Sequence, residues 1–276
     1  MKRILTVQDI SCVGKCSLTV ALPIISAMGV EACVLPTAVL STHTAFKGFT
    51  FRDLTDDILP VCRHWKDQKL HFDAIYTGYL GSIRQIDLML QLIQDFGGKD
   101  TITIVDPCMA DNGNLYSGFS PDFVQAMKKL CAKADIIVPN LTEASLLSGI
   151  PYKAAGYTKE YIENMLIDLS AIGSRRVVLK GVDFNNGKIG IASYDSFTRQ
   201  TNWYFHEKIG TSFHGTGDIF ASVLTGAIVR DTSLEEAYKL AAGFVLEAIK
   251  NTLSNKEYNW YGVEFETAIP RLLAEL

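Results

Sequence analysis

The sequence predicts an α/β fold: a three-layer αβα sandwich on a mostly parallel central sheet, with a small β flap. Three observations predict it. Short, apolar, β-branched runs alternate with longer amphipathic runs along most of the 276 residues, the pattern of strands joined by crossover helices. Each short run closes on polar or turn residues, as strands in such sheets do. Finally, 48% of the chain is hydrophobic, enough to bury one large core, so residues 1–276 are expected to form a single domain.

In chain order the strand "RILTVQD" leads, ending at Asp9, and an apolar helix follows over residues 18–28. "VEACVLPT" is the second strand; residues 34–51 stay strand-like with no crossover helix, which predicts a flap leaving the sheet. An amphipathic helix spans 53–69, the strand "FDAIYTGYL" follows, and helix 82–96 leads to "TITIVDP". Helix 121–134 precedes "ADIIVPN", whose polar end opens a short helix, and helix 159–172 precedes "RRVVLKG". Residues 188–208 read as two strands turning at "YDSFTR", an antiparallel hairpin at one sheet edge. Three helices close the chain, starting near Thr216, Leu234 and Glu264. The aromatic trio Tyr258, Trp260 and Tyr261 is expected to cap the core.

A formal net charge of −4 with scattered basic residues leaves no electrostatic footprint for nucleic acid or an anionic membrane. No apolar run reaches membrane-spanning length, and the first residues lack the apolar region and cleavage site of a secretory signal. Six cysteines with neither a Cys-x-x-Cys pair nor zinc-finger histidine spacing read as reduced thiols. A cytoplasmic protein with a small-molecule partner is expected.

In an open parallel sheet, ligands bind beyond the carboxyl ends of the strands. The residues there are Asp9, Tyr79, Asp106 with Asp111, Asn140 with Thr142 and Glu143, Lys180, and the turn "HGTGD" ending at Asp218. The turn is the most informative. Gly215, Thr216 and Gly217 precede a long apolar helix, which lets backbone N–H groups converge on an anion while Asp218 takes a proton from an attacking hydroxyl. Its plainer reading is a tight turn with a threonine cap and a first-turn acid.

Each remaining motif also has two readings. In "VDPCMAD", Asp106 and Asp111 are oxygen ligands for a metal-bound triphosphate, or an Asp-Pro turn with a solvated acid. In "PNLTEASLLSG", Asn140 and Glu143 are rim groups, or an N-cap and a first-turn acid. "CVGKCS" resembles the end of a P-loop, but Asp9 and Cys16 stand where that loop needs glycine and Ser or Thr. Gly14 is therefore expected to make a tight turn and Lys15 to face solvent. "STHT" sets Thr44 beside His43, a histidine read as structural. Tyr79 is half-buried core or an aromatic face for a planar substrate, Cys108 a small buried thiol, and Lys180 a point charge for phosphate or a solvated lysine.

Taken together, "STHT", "TGYLGS", "VDPCMAD", "PNLTEASLLSG" and "GTGDIFASVL" resemble the ribokinase-like superfamily and, within it, the pyridoxal (pyridoxine, pyridoxamine) kinases. The resemblance spans nearly the whole chain in order. It implies ATP-dependent phosphorylation of the 5′-hydroxymethyl group of a B6 vitamer, with Asp218 as base and Gly215, Thr216 and Gly217 as the anion hole. It further implies Mg2+ at Asp111 and Glu143, the triphosphate and nucleotide near Asp106, Asn140, Lys180 and Thr216, and a vitamin pocket at Thr44 and Tyr79. Asp9 stands where many relatives have serine, and its carboxylate would accept a hydrogen bond from a protonated pyridine nitrogen. Val138 and Lys180 replace threonines common near the nucleotide. A homodimer belongs to the same pattern, as does a monovalent cation such as K+, which leaves no mark in the sequence.

Two alternatives stand beside this reading. A hydroxymethylpyrimidine kinase of thiamin biosynthesis would use the same phosphate machinery on another flat heterocycle with a hydroxymethyl arm. A non-catalytic vitamin or nucleotide binder belongs to a different class, and Asp218 argues against it, because a pure binder has no use for an acid aimed at the transferring phosphoryl group.

Overall fold

The computed structural model describes residues 1–211 and 213–276. Along the chain run β1 (Arg3–Ser11), α1 (Leu18–Ala27), β2 (Glu31–Leu40), β3 (Phe51–Asp53), α2 (Thr55–Asp67), β4 (Ala74–Thr77) and α3 (Ile83–Phe96). There follow β5 (Ile102–Val105), β6 (Ala110–Asp111), β7 (Asn114–Leu115), α4 (Pro121–Cys131), β8 (Ile136–Ile137), α5 (Leu141–Ser148) and α6 (Lys159–Ala171). The chain ends with β9 (Arg176–Val182), β10 (Lys188–Asp195), β11 (Gln200–Glu207), α7 (Thr216–Val229), α8 (Leu234–Ser254) and, after a 3-10 turn at Phe265–Ala268, α9 (Ile269–Ala274). This is the expected α/β fold of mostly parallel strands flanked by helices.

The chain packs as two compact units, each assembled from separated segments. The first comprises Met1–Gly81, Asp95–Thr101 and Ile209–Leu276. Its strands lie in the order β4-β1-β2-β3. β1 is parallel to both β2 and β4, and β3 is antiparallel to β2. The β1–β2 register shifts between Gln8 and Ile10, so the ladder is irregular at Asp9; such bulges re-aim side chains at strand ends. From Ile219 to Val229 every residue of α7 is buried. A helix apolar on all sides is held by the core around it, and its N-terminus is placed as firmly as the core itself.

The second unit, Ser82–Gln94 with Ile102–Lys208, orders its strands β5-β8-β9-β10-β11. β5, β8 and β9 run parallel, while β10 and β11 form the antiparallel edge hairpin expected from residues 188–208. Val177, Val178 and Leu179 of β9 are fully buried, as are Met165 and Leu166 of α6.

The structure departs from the sequence reading in several places. The flap is short, because residues up to Leu40 stay paired with β1 and only 41–50 leave the strand before β3 returns. The two-residue strands β6 and β7 were too short for any periodic pattern to reveal. The aromatic trio does not cap the core: Trp260 is 57% exposed and lies 4.6 Å from Phe46, ring centre to ring centre, against the 41–50 loop. Lys15 does not face open solvent; it pairs with Glu266 and lies 5.3 Å above the Phe265 ring.

Candidate active site

In the first unit, the loop after β1 and the turn before α7 pack against each other. Gly215 is the N-cap of α7 at φ 79°, and a methyl group there would overlap the Lys15 carbonyl oxygen. Only glycine meets both demands. No side chain among the described residues caps α7, so its first turn presents backbone N–H groups and the positive end of the helix dipole. The Thr216 hydroxyl donates backward to the Phe213 carbonyl at 3.2 Å. Asp218 follows within that first turn and is partly exposed. Its Oδ2 accepts the Ser17 N–H at 3.1 Å.

Asp9 sits behind this contact, only 5% exposed. Its oxygens accept hydroxyl hydrogens from Ser17 at 2.6 Å and Ser11 at 2.9 Å. Burial pushes its carboxyl up, and the two serines pull it part of the way back. Neighbouring Cys16 is pushed to about 12, first by burial and then by the negative charges of Asp218 and Asp9, so it stays a thiol and is a poor nucleophile at neutral pH.

The 41–50 loop is tied to the same unit through His43. The Ala45 N–H donates to its Nδ1 at 3.2 Å, and its Nε2 lies 2.9 Å from the Tyr261 carbonyl. A carbonyl cannot donate, so the proton is on Nε2 and the ring is neutral. Burial lowers the pKa of His43 in keeping with this. The histidine is structural, as its sequence suggested. Thr44 is exposed beside it and Tyr79 is partly buried after β4.

The second unit holds the other strand-end groups. Asp106, 1% exposed after β5, accepts the Lys180 ammonium at 2.6 Å on Oδ2, while its Oδ1 is buried without a partner. Lys180 is thus neither solvated nor free, with its side chain 15% exposed. Burial works against its charge, yet Asp106 and Glu143 together hold its pKa above the usual value. Glu143 closes a capping box on α5: its side chain accepts the Asn140 N–H at 2.8 Å while the Asn140 side chain accepts the Glu143 N–H at 2.9 Å. It also accepts the Met109 N–H at 3.2 Å. The Asn140 amide donates to the Ala110 carbonyl at 2.8 Å, so that side chain is spent on the cap and on β6.

Ligand atoms of Asp106, Cys108 and Glu143 lie within 4.8 Å of one another. Asp111 is not among them; it is exposed, and its carboxylate accepts both the N–H and the side-chain amide of Asn112. The sequence paired Glu143 with Asp111, whereas in the fold Glu143 meets Asp106 and Cys108. Spacing along the "VDPCMAD" turn could not show which way each side chain points. Ser17 was missed as well, because a serine before a helix reads as an ordinary cap.

Two buried carboxyls share one buried ammonium here. Burial first, and then Asp106, push Glu143 from the ordinary 4.5 to about 8. Between those values the folded chain keeps a proton that the unfolded chain has released, so stability falls as pH rises through this window. Denaturant unfolding between pH 5 and pH 8.5 is expected to show a loss on the order of 3 kcal/mol, absent in Glu143→Gln. A slope unchanged in that variant would locate the titration elsewhere.

A family model described as phosphomethylpyrimidine kinase matches residues 21–261. A pyridoxal kinase of Dictyostelium discoideum is 27% identical across 94% of this chain and 91% of its own length. Among solved structures, the pyridoxal kinase of Lactobacillus plantarum superposes with a TM-score of 0.91 at 32% identity, covering 99% of this chain and 97% of that one. A Bacteroides thetaiotaomicron structure described as a phosphomethylpyrimidine kinase, in a crystal form with pyridoxal, gives a TM-score of 0.93 at 40% identity, over 98% and 95% of the two chains.

Proposed function

Since the chain belongs to the phosphomethylpyrimidine kinase family, within the ribokinase-like superfamily, we propose that it transfers the γ-phosphoryl group of ATP to the 5′-hydroxymethyl group of pyridoxal, pyridoxamine or pyridoxine. The observation that carries this reading is the start of α7, where Asp218 directly follows an uncapped Gly-Thr-Gly turn held by the core. Asp218 removes the hydroxymethyl proton as the oxygen attacks. The N–H groups of Gly215, Thr216 and Gly217 stabilise the charge gathering on the transferred phosphoryl group. Thr44 and Tyr79 line the vitamer side. No covalent intermediate on the enzyme is needed, because positioning and charge stabilisation carry the transfer.

The second unit carries its own groups suited to a metal-bound triphosphate. Asp106 and Glu143 offer oxygens that would hold magnesium, and the unpartnered Oδ1 of Asp106 is an acceptor that a cation would satisfy; Asp111 would meet such an ion through water. What bound magnesium supplies is neutralisation of charge on the triphosphate. Burial raises the Asp106 carboxyl and Lys180 opposes that rise; Lys180 also adds a fixed positive charge, and Asn140 sets the start of α5. A cytosolic homodimer is what the family resemblance implies for the chain. No helix among the described residues is long and apolar enough to cross a membrane.

The family name keeps hydroxymethylpyrimidine in view as a second substrate. Steady-state assays of ATP consumption with magnesium, run in parallel on the three vitamers and on hydroxymethylpyrimidine, are expected to give the vitamers at least a tenfold higher kcat/KM. Turnover confined to the pyrimidine would keep the chemistry and change the substrate.

A further inference from the structure

We propose that Asp9 acts through Ser17 as a positioning residue that holds Asp218 in place, and is not a contact for the substrate ring nitrogen. The inference rests on Asp218 being the base. Asp9 is nearly closed to solvent, and each of its oxygens already accepts a serine hydroxyl. A ring nitrogen would have to reach a buried carboxylate through that pair. The serines, by contrast, are in place.

Ser17 shows what the arrangement achieves. It begins α1 with φ 52° and ψ −135°, left-handed φ for a residue that has a Cβ, a strained conformation that persists only where its surroundings hold it. Its hydroxyl also gives up capping α1, the stabilising role a serine usually has there. In return the hydroxyl donates to Asp9 Oδ1 and the backbone N–H donates to Asp218 Oδ2. Asp9 anchors the side chain of Ser17, the side chain holds the backbone, and the backbone N–H occupies one oxygen of Asp218. The Asp218 carboxylate is thereby tied in place at the first turn of α7. Asp9 lies at the irregular step of the β1–β2 ladder, Ser17 at the start of α1 and Asp218 in the first turn of α7, so the chain of bonds links three elements of one unit.

A general base that loses its aim by an ångström loses about a hundredfold in rate. Asp9→Ala and Ser17→Ala are therefore each expected to lower kcat about 10- to 100-fold, with KM for vitamer and ATP changed less than threefold. Asp9→Asn still offers Ser17 an acceptor and is expected to recover at least tenfold of the Asp9→Ala loss. The double variant is expected to be no worse than the poorer single, since both changes break one chain of bonds. A tenfold rise in vitamer KM in Asp9→Ala with kcat retained would overturn the proposal and restore the ring contact. Multiplicative losses in the double variant would also overturn it. If Asp9→Ala fails to fold, Ser17→Ala, which removes a single hydroxyl, carries the same test of kcat against KM. Asp218→Asn is run beside them: full turnover there refutes the base itself, whereas a dead Asp218→Asn with normal kcat in Ser17→Ala refutes only the positioning role.

Discussion

Asp218→Asn is expected to lower kcat about 10²- to 10⁴-fold, the range that a general base contributes, while fold and nucleotide affinity are kept. The substitution changes no volume and leaves a side-chain oxygen to accept the Ser17 N–H. What disappears is the capacity to take a proton. Removing a negative charge from the first turn of α7 costs the helix about 0.3–1 kcal/mol, too little to unfold a chain with this much core. ATP binding is expected to hold or tighten, since a like charge beside the phosphates is gone. Stopped-time phosphorylation assays paired with a nucleotide-binding isotherm check both parts, and a variant within threefold of wild-type kcat would remove Asp218 from the mechanism.

The second large effect is expected at Gly215. Alanine there would pay about 1–2 kcal/mol for a left-handed backbone and would also drive a methyl group into the Lys15 carbonyl oxygen. Backbone cannot swing aside as a side chain does, so the 14–17 loop must move, and with it the Ser17 N–H that meets Asp218. A stability loss of about 3 kcal/mol or more is expected, together with the loss of most activity in whatever folds. Gly243 is the control. It lies inside α8 with no atom near its missing methyl, so Gly243→Ala is expected to be neutral or stabilising by up to about 1 kcal/mol. Thermal denaturation of the two variants should separate them widely; equal shifts would mean that the contact with Lys15 yields at little cost.

Much of the fold is legible in the sequence alone. The alternation of short β-branched runs with amphipathic runs located β1, β2, β4, β5, β8, β9 and the edge hairpin, and the starts of α7 and α8 fell at Thr216 and Leu234 as expected. The conformation of the turn "HGTGD" was legible because what it needs is local: a glycine for the positive φ at position 215, a helix start at Thr216 and an acid in the first turn.

The roles of other residues were not legible, for a definite reason. Lys180 meets Asp106 across 74 positions, Ser17 meets Asp218 across 201, and Lys15 meets Glu266 across 251. Asn140 and Glu143 showed their cap in the sequence, yet nothing there showed that Glu143 also meets Asp106 and Cys108, the latter only half-buried and not the buried thiol expected. Periodicity, caps and turns belong to the sequence because backbone conformation answers to neighbours within a few residues. Which carboxylate oxygen lacks a partner at Asp106, which acid neutralises Lys180 and which backbone N–H meets Asp218 belong to the tertiary structure. Those outcomes depend on groups brought together only when the core packs, and burial then makes each hydrogen bond and charge count for more than it would in water.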